Sequence, residues 1–337
     1  MVNINAQKKF ETEFKMLLDE KKSNGSQEFK ISNVSAVQRK NSNVDISKLI
    51  SCSKNYYEDL LKIYFENEFV CTILEDKKLS FDGNGILYLI VEKNFENNLI
   101  LELEFLSKEF NASFVKVLVK SGVNLNVILY SDSKLGWNNV EFFLEDNSNV
   151  FVSEIIFGAK LFHVNANLEK NAKYDLKSAY FLKESESYIL NKVIHKGENS
   201  ISNIEVSGGV CENSKVISEG FASILRSAIK SSANQNLKGI ILDNTSSISG
   251  EPTLKIDNSQ VKCSHGFSVS QISEEILFYM GSRGISKDQA IWLVIGGFFE
   301  MALEIQSYRD SETQSYRNIE LEKTYVNYMK LVEEKFK

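Results

Sequence analysis

Leu99-Ile100-Leu101-Glu102-Leu103-Glu104-Phe105 and Val123-Asn124-Leu125-Asn126-Val127-Ile128-Leu129 set the reading of this chain. In each, apolar residues fall at every second position, so an extended backbone sends one set of side chains to a single face. Similar runs rich in Val, Ile, Phe and Leu occur at 86–91, 114–119, 140–144, 150–157, 161–168, 179–182 and 188–194. They recur roughly every ten to twelve residues, too close for an intervening helix, which leaves a β-sandwich, a barrel and a β-solenoid open. Two-residue hairpin signals are few, with Asp82-Gly83-Asn84-Gly85 the clearest. Asparagine stands instead at the expected bends, as at Asn97, Asn111, Asn149 and Asn171, where left-handed backbone and side-chain ladders suit it. A parallel β-helix bends its chain this way, although no strict repeat is visible.

The surrounding composition narrows the class of protein. The 337 residues are 43% hydrophobic and 25% charged, ordinary for a globular chain, and 22 Phe with 13 Tyr argue against extended disorder. A net charge of −6 offers no basic stripe for nucleic acid. No apolar run approaches the roughly 20 residues that span a bilayer. Residues 1–15 are polar and charged, without the pattern of a secretory signal, so a cytoplasmic protein is expected. Its four cysteines, Cys52, Cys71, Cys211 and Cys263, form no short C-x-x-C pair and read as free thiols.

Helical spacing flanks the strand-rich middle. Before it, residues 8–22 and 55–66 predict two amphipathic helices in a small N-terminal helical region, 1–76. After the β core, 77–267, comes a helical domain, 268–337. There Ser273 caps a helix whose first turn carries Glu274 and Glu275, facing the positive end of its dipole. Gly284 stands where a C′ residue ends that helix near Arg283. Ser286-Lys287-Asp288-Gln289 reads as a capping box opening a long apolar helix through Leu303, with Ile285 and Ala290 as its staple. A last amphipathic helix covers 318–335 and sets Leu321, Tyr325, Tyr328, Met329 and Val332 on one face.

Chemistry concentrates at Val261-Lys262-Cys263-Ser264-His265-Gly266. On a strand, Cys263 and His265 share a face about 6.6 Å apart, where thiolate and imidazole can share a soft metal ion. The plainer reading is a buried thiol beside a half-exposed histidine. Two ligands do not close a zinc site, so a metal here needs ligands from another chain. His163 and His195 lie in alternating strands and read as structural histidines. The chain lacks a P-loop, a G-x-S-x-G elbow, an H-E-x-x-H pair and a G-x-G-x-x-G loop. The run Ile276-Leu277-Phe278-Tyr279-Met280 reads equally well as core or as a partner-binding face.

Four ordered stretches resemble the SufB/SufD family of iron–sulfur cluster assembly proteins. They are Lys238-Gly-Ile-Ile-Leu-Asp-Asn, Gly250-Glu-Pro-Thr-Leu-Lys-Ile, Val261-Lys-Cys-Ser-His-Gly and Ser273-Glu-Glu-Ile-Leu-Phe-Tyr-Met-Gly-Ser-Arg-Gly-Ile-Ser. The likeness is close over 237–299 and favours the SufD branch, since Gly266 stands where a SufB-like chain has glutamate. It implies a right-handed parallel β-helix between the two helical regions. It also implies a non-enzymatic scaffold that pairs with a SufB-like paralogue, or with a second copy when SufB is absent, and docks the ABC-type ATPase SufC. By the same resemblance, Cys263 and His265 fall at the SufB interface where a cluster assembles. Glu274, Glu275, Phe278, Tyr279 and Arg283 would form the ATPase-docking surface. No stably bound cofactor is implied, only a transient iron–sulfur cluster or iron at the interface; whether the complex carries flavin is not specified. Lys255, Phe267 and Gly281 depart from the family pattern. The competing expectations are a β-helix enzyme acting on polysaccharide, a SufB-like main scaffold and a stand-alone metal-binding protein.

Overall fold

Eighteen strands and three helices make up the computed structural model, which describes residues 30–32, 38–39, 68–82, 85–93, 98–107, 110–303 and 314–335. The two helices expected at 8–22 and 55–66, and the turn residues 83–84, lie outside this set, as do Cys52 and Asn97. In chain order the early strands are β1 (Lys30–Ser32), β2 (Gln38–Arg39), β3 (Glu68–Ile73), β4 (Lys77–Asp82), β5 (Gly85–Val91), β6 (Asn98–Leu106), β7 (Asn111–Val119) and β8 (Asn124–Asp132). The central strands are β9 (Gly136–Leu144), β10 (Asn149–Gly158), β11 (Leu161–Leu168), β12 (Lys173–Lys183) and β13 (Glu186–His195). The last five are β14 (Ile201–Cys211), β15 (Lys215–Ile224), β16 (Ser232–Ile241), β17 (Ser247–Ile256) and β18 (Lys262–Gln271).

Successive strands alternate between two sheets. The even sheet runs β1-β4-β6-β8-β10-β12-β14-β16-β18, and the odd sheet runs β17-β15-β13-β11-β9-β7-β5-β3-β2. All pairings from β3 onward are parallel; only β1 with β4 and β2 with β3 run antiparallel. The fold is thus a β-solenoid, two strands to the coil. One register line passes through Asn124, Asn149, Lys173, Ile201, Ser232 and Lys262, so successive coils take 25, 24, 28, 31 and 30 residues (the differences between neighbours on that line). Such drift in coil length is why no strict sequence repeat can be seen.

Burial on both faces explains the long apolar runs. Every residue of β5, β7 and β9 is buried, as expected of parallel strands covered on both sides. Val150, Val152 and Ile156 of β10 point into the lumen with Tyr174, Leu176, Tyr180 and Leu182 of β12. Ile155, Ala179 and Phe181 point outward, into a second cluster with Ile295, Phe299, Tyr328 and Val332. Those last four come from α2 (Lys287–Ala302) and α3 (Gln314–Lys335), which pack on the even sheet; α1 (Glu274–Ser282) precedes them. Phe157 and Phe299 stack at 5.0 Å and 7°. The Tyr328 hydroxyl lies 3.0 Å from both Glu102 Oε2 and Glu104 Oε1, and Lys78 completes the cluster with Nζ 2.6 Å from Glu104 Oε1. Lys335 pairs with Asp132 further along α3.

One corner repeats a single device. Gly122, Asn147, Asn171, Asn199 and Lys230 all hold positive φ, one per coil. Each donates its N–H to a carbonyl of the next coil, at Asp146, Lys170, Glu198, Ile229 and Gln260, over 2.8–3.1 Å. The expected left-handed asparagine at 171 is present, with φ 56°. Asn111 and Asn149 begin strands without left-handed backbone, and Asn149 Nδ2 donates to Asn124 Oδ1 at 2.6 Å, forming the expected ladder between coils.

Strand structure extends beyond the expected core limits. β3 pairs with β5 in parallel, although it falls within 1–76, and β18 continues to Gln271. The capping signals at 273, 284 and 286–289 are local and stand where the sequence places them. Ser273 Oγ accepts from Ile276 N, both halves of the Ser286–Gln289 capping box form, and Gly284 has φ 83°. The last helix begins at Gln314, ahead of the expected 318; Tyr328 and Val332 are buried on its inner face. A Cβ added at Gly281 meets nothing within 4 Å. Gly281→Ala should therefore strengthen α1 by up to about 1 kcal/mol, read as slower amide exchange within that helix. Unchanged or faster exchange there would show that the glycine is needed for another reason.

Candidate functional site

Burial falls away at one end of the solenoid. β17 and β18 are the last strands of their sheets, and neither contains a buried residue. On β18, Cys263 and His265 pair in register with Ala233 and Gln235, whose side chains face the lumen. They therefore share the inward face, at its open end. Cys263 is half-buried against Ala222, Ile224, Ala228 and Ala233, whereas His265 is exposed. Phe267 follows on the same face, its ring lying over Gly250, where a Cβ would come within 2.1 Å of Cε2.

Electrostatics around the pair set its chemistry. Burial raises the Cys263 thiol above its ordinary value, partly offset by a hydrogen bond with the Ala233 backbone. At neutral pH it is thus a thiol, not a ready nucleophile, and a metal or cation must displace its proton. The imidazole of His265 is exposed beside it. Among the described residues, no group of three or more His, Cys, Asp or Glu could hold a metal ion.

Of the second set of expected residues, Glu274, Glu275, Phe278 and Tyr279 lie on α1, which begins after Ile272 and Ser273, and Arg283 is its C-cap. None of its residues is buried, and Phe278 is 80% exposed, with Tyr279 and Ile276 also bare. The alternative left by the sequence, core or partner face, falls on the side of an uncovered apolar surface. Glu274 and Glu275 occupy the first turn, and the Arg283 guanidinium sits 5.0 Å from the Tyr279 ring centroid.

Among the described residues, the other histidines and cysteines are buried or half-buried. His195 is fully buried, its Nδ1 and Nε2 each 2.8 Å from a serine hydroxyl, of Ser200 and Ser202. Burial lowers it to about 4, so it stays neutral. His163 accepts from Asn139 Nδ2 at 3.3 Å and is lowered by burial, and by nearby Lys192, to about 3. Cys71, Cys211 and Cys263 are free thiols, and burial raises Cys211 to about 11. No described helix is long and apolar enough to cross a membrane.

Several buried ionisable residues escaped the sequence reading, and Glu154 is the one furthest from its ordinary carboxyl value. Glu154 alternates with Val152 and Ile156 and so points into the lumen, fully buried. Burial raises it to about 7, against the opposing pull of Ser178 and Asn191. The available signal was an acidic residue at an inward position of an apolar strand.

Comparison with known proteins bears on the family of the chain. The family model described as "SUF system FeS cluster assembly, SufBD core domain" matches residues 82–298, more than half of the chain. The chain is 39% identical over 110 residues to an iron–sulfur cluster assembly SufBD family protein of Staphylococcus aureus (strain USA300), covering 32% of this chain and 23% of that protein. It is 33% identical over 163 residues to one of Staphylococcus epidermidis (strain ATCC 12228), covering 47% and 35% respectively. The matched stretches span about a quarter to a third of the length of these curated relatives.

Proposed function

The chain belongs to the SufBD family of iron–sulfur cluster assembly proteins, and from that premise we propose that it is a SufD-like scaffold subunit without catalysis of its own. In this reading the open end of the solenoid pairs with a SufB-like subunit. The uncovered face of α1, with Glu274, Glu275, Phe278, Tyr279 and Arg283, docks a SufC-like ABC-type ATPase. The iron–sulfur cluster is cargo, held transiently between subunits. A homodimer through the same end is the expected state when the SufB-like partner is missing.

The observation that carries the proposal is a Cys/His pair on the last strand of a parallel sheet. Parallel strands leave unpaired N–H and C=O groups at a sheet edge, which accept strands from another chain. Such pairing would bring new ligands within reach of Cys263 and His265. Two protein ligands leave a four-coordinate metal half-filled, and the partner supplies the rest. Gly266 beside His265, in place of a carboxylate, favours the SufD-like over the SufB-like role.

Co-expression with SufB-like and SufC-like partners tests the assignment, and a single complex should elute. Elution of three separate proteins would sink it. Cys263→Ala and His265→Ala should both leave that complex intact while lowering the yield of mature cluster on acceptor proteins. If either variant instead prevents assembly, the pair serves the interface and not the cluster.

A further inference from the structure

Inside the solenoid, midway along its axis, several polar groups meet with their hydrogen-bonding capacity unused. Glu154 on β10 and Ser178 on β12 are direct register neighbours, and both point inward. Asn191 on β13 faces them from the odd sheet, between the lumen residues Ile189 and Val193. All three are at least 99% buried. Both carboxyl oxygens of Glu154, the Ser178 hydroxyl and both ends of the Asn191 amide make no hydrogen bond of good geometry. Ser178 and Asn191 nonetheless lie close enough to favour the charged carboxyl.

The polar line continues towards the open end. Beyond Asn191 in its column comes Gly220, which has no side chain. Above it lies Gln235 Oε1, 2.4 Å from where a Cβ would stand, itself buried and unpartnered. Ser218 Oγ, on the same strand as Gly220, is a further buried atom with no partner. Gln235 is in turn the register neighbour of His265. Five side chains from the two sheets thus present seven unpaired polar atoms to the lumen. Folded proteins leave very few such atoms unpaired, and ordered water supplies the missing bonds where two or more polar groups converge.

We propose that water occupies the lumen between Glu154 and Gln235, bridging Glu154, Ser178 and Asn191, and linking this buried carboxyl to the coil beneath His265. The inference is independent of the assembly role proposed above. Charge balance is consistent with water in place of a cation. Burial and the neutral side chains of Ser178 and Asn191 act on the Glu154 carboxyl, whose charge is felt in turn by Tyr174. A single carboxyl that burial holds near neutrality is a weak cation ligand and a good partner for water.

A crystal structure of the wild-type chain, at a resolution that shows ordered solvent, tests this directly. Density within hydrogen-bonding distance of both the Glu154 carboxyl and the Asn191 amide is the expected result. A lumen without such density, with the carboxyl bonded straight to Ser178 and Asn191, would overturn the proposal. In solution, ¹⁷O relaxation dispersion should report long-lived internal water, and that signal should fall in Glu154→Leu. An equal signal in wild type and a folded Glu154→Leu would place the water elsewhere and also overturn it.

Discussion

Glu154→Gln should make the protein more stable at pH 8, by about 3 kcal/mol, with little change at pH 4. The sign follows from proton uptake. Unfolded, this carboxyl titrates near 4.5; folded, burial raises it to about 7. Between those values the native state holds a proton that the unfolded state has released, so stability falls as pH rises through the window and levels off above it. Below about 4.5 both states are protonated and the term is constant. Glutamine keeps the shape and much of the hydrogen bonding but never ionises, which removes the slope. Denaturant unfolding at pH 4, 6 and 8 measures this. A wild type whose stability relative to Glu154→Gln stays the same from pH 5 to 8 would show that the carboxyl is solvated well enough to ionise freely.

Gly197→Ala should be worse than most core truncations, costing more than about 3 kcal/mol, at or beyond the upper end for overpacking. At the corner between β13 and β14, Gly197 N donates to Leu168 O at 3.1 Å, and the backbone of one coil lies directly on the next. An added Cβ would stand 2.1 Å from Lys170 N and 2.4 Å from the Glu169 carbonyl carbon. Neither atom can turn aside as a side-chain tip can, so the coils must separate. Because each coil is held mainly by its neighbours, that strain spreads into the register on both sides. Gly266→Ala is the matched control, since its Cβ meets only Asn236 Oδ1, at 3.9 Å. Equal unfolding midpoints for the two variants would refute the argument from close approach.

Much of the framework is written in short stretches. The alternation at 99–105 and 123–129 marks β6 and β8 because a strand turns every second side chain to the same face. Ser273, the Ser286–Gln289 box and Gly284 mark helix ends because capping bonds span only three or four residues. The motifs between 237 and 299 resemble the family strongly enough to choose the solenoid over the sandwich. Period alone left that choice open, since both folds need strands at the same spacing.

What the sequence determined by itself was therefore local: which residues extend, which coil, where helices begin and end, and that Cys263 and His265 share one face of a strand. Tertiary structure alone decided how coils of 24 to 31 residues stack, and so which strand comes last in each sheet. That stacking places the Cys-x-His pair on the last strand of its sheet, with Cys263 half-buried and His265 exposed. It also buries Glu154, whose neighbours Ser178 and Asn191 are 24 and 37 residues away (154 to 178, 154 to 191). The physical reason is the same in each case. A side chain's direction depends on its own backbone, but its solvent, its partners and its proton depend on strands one or more coils distant.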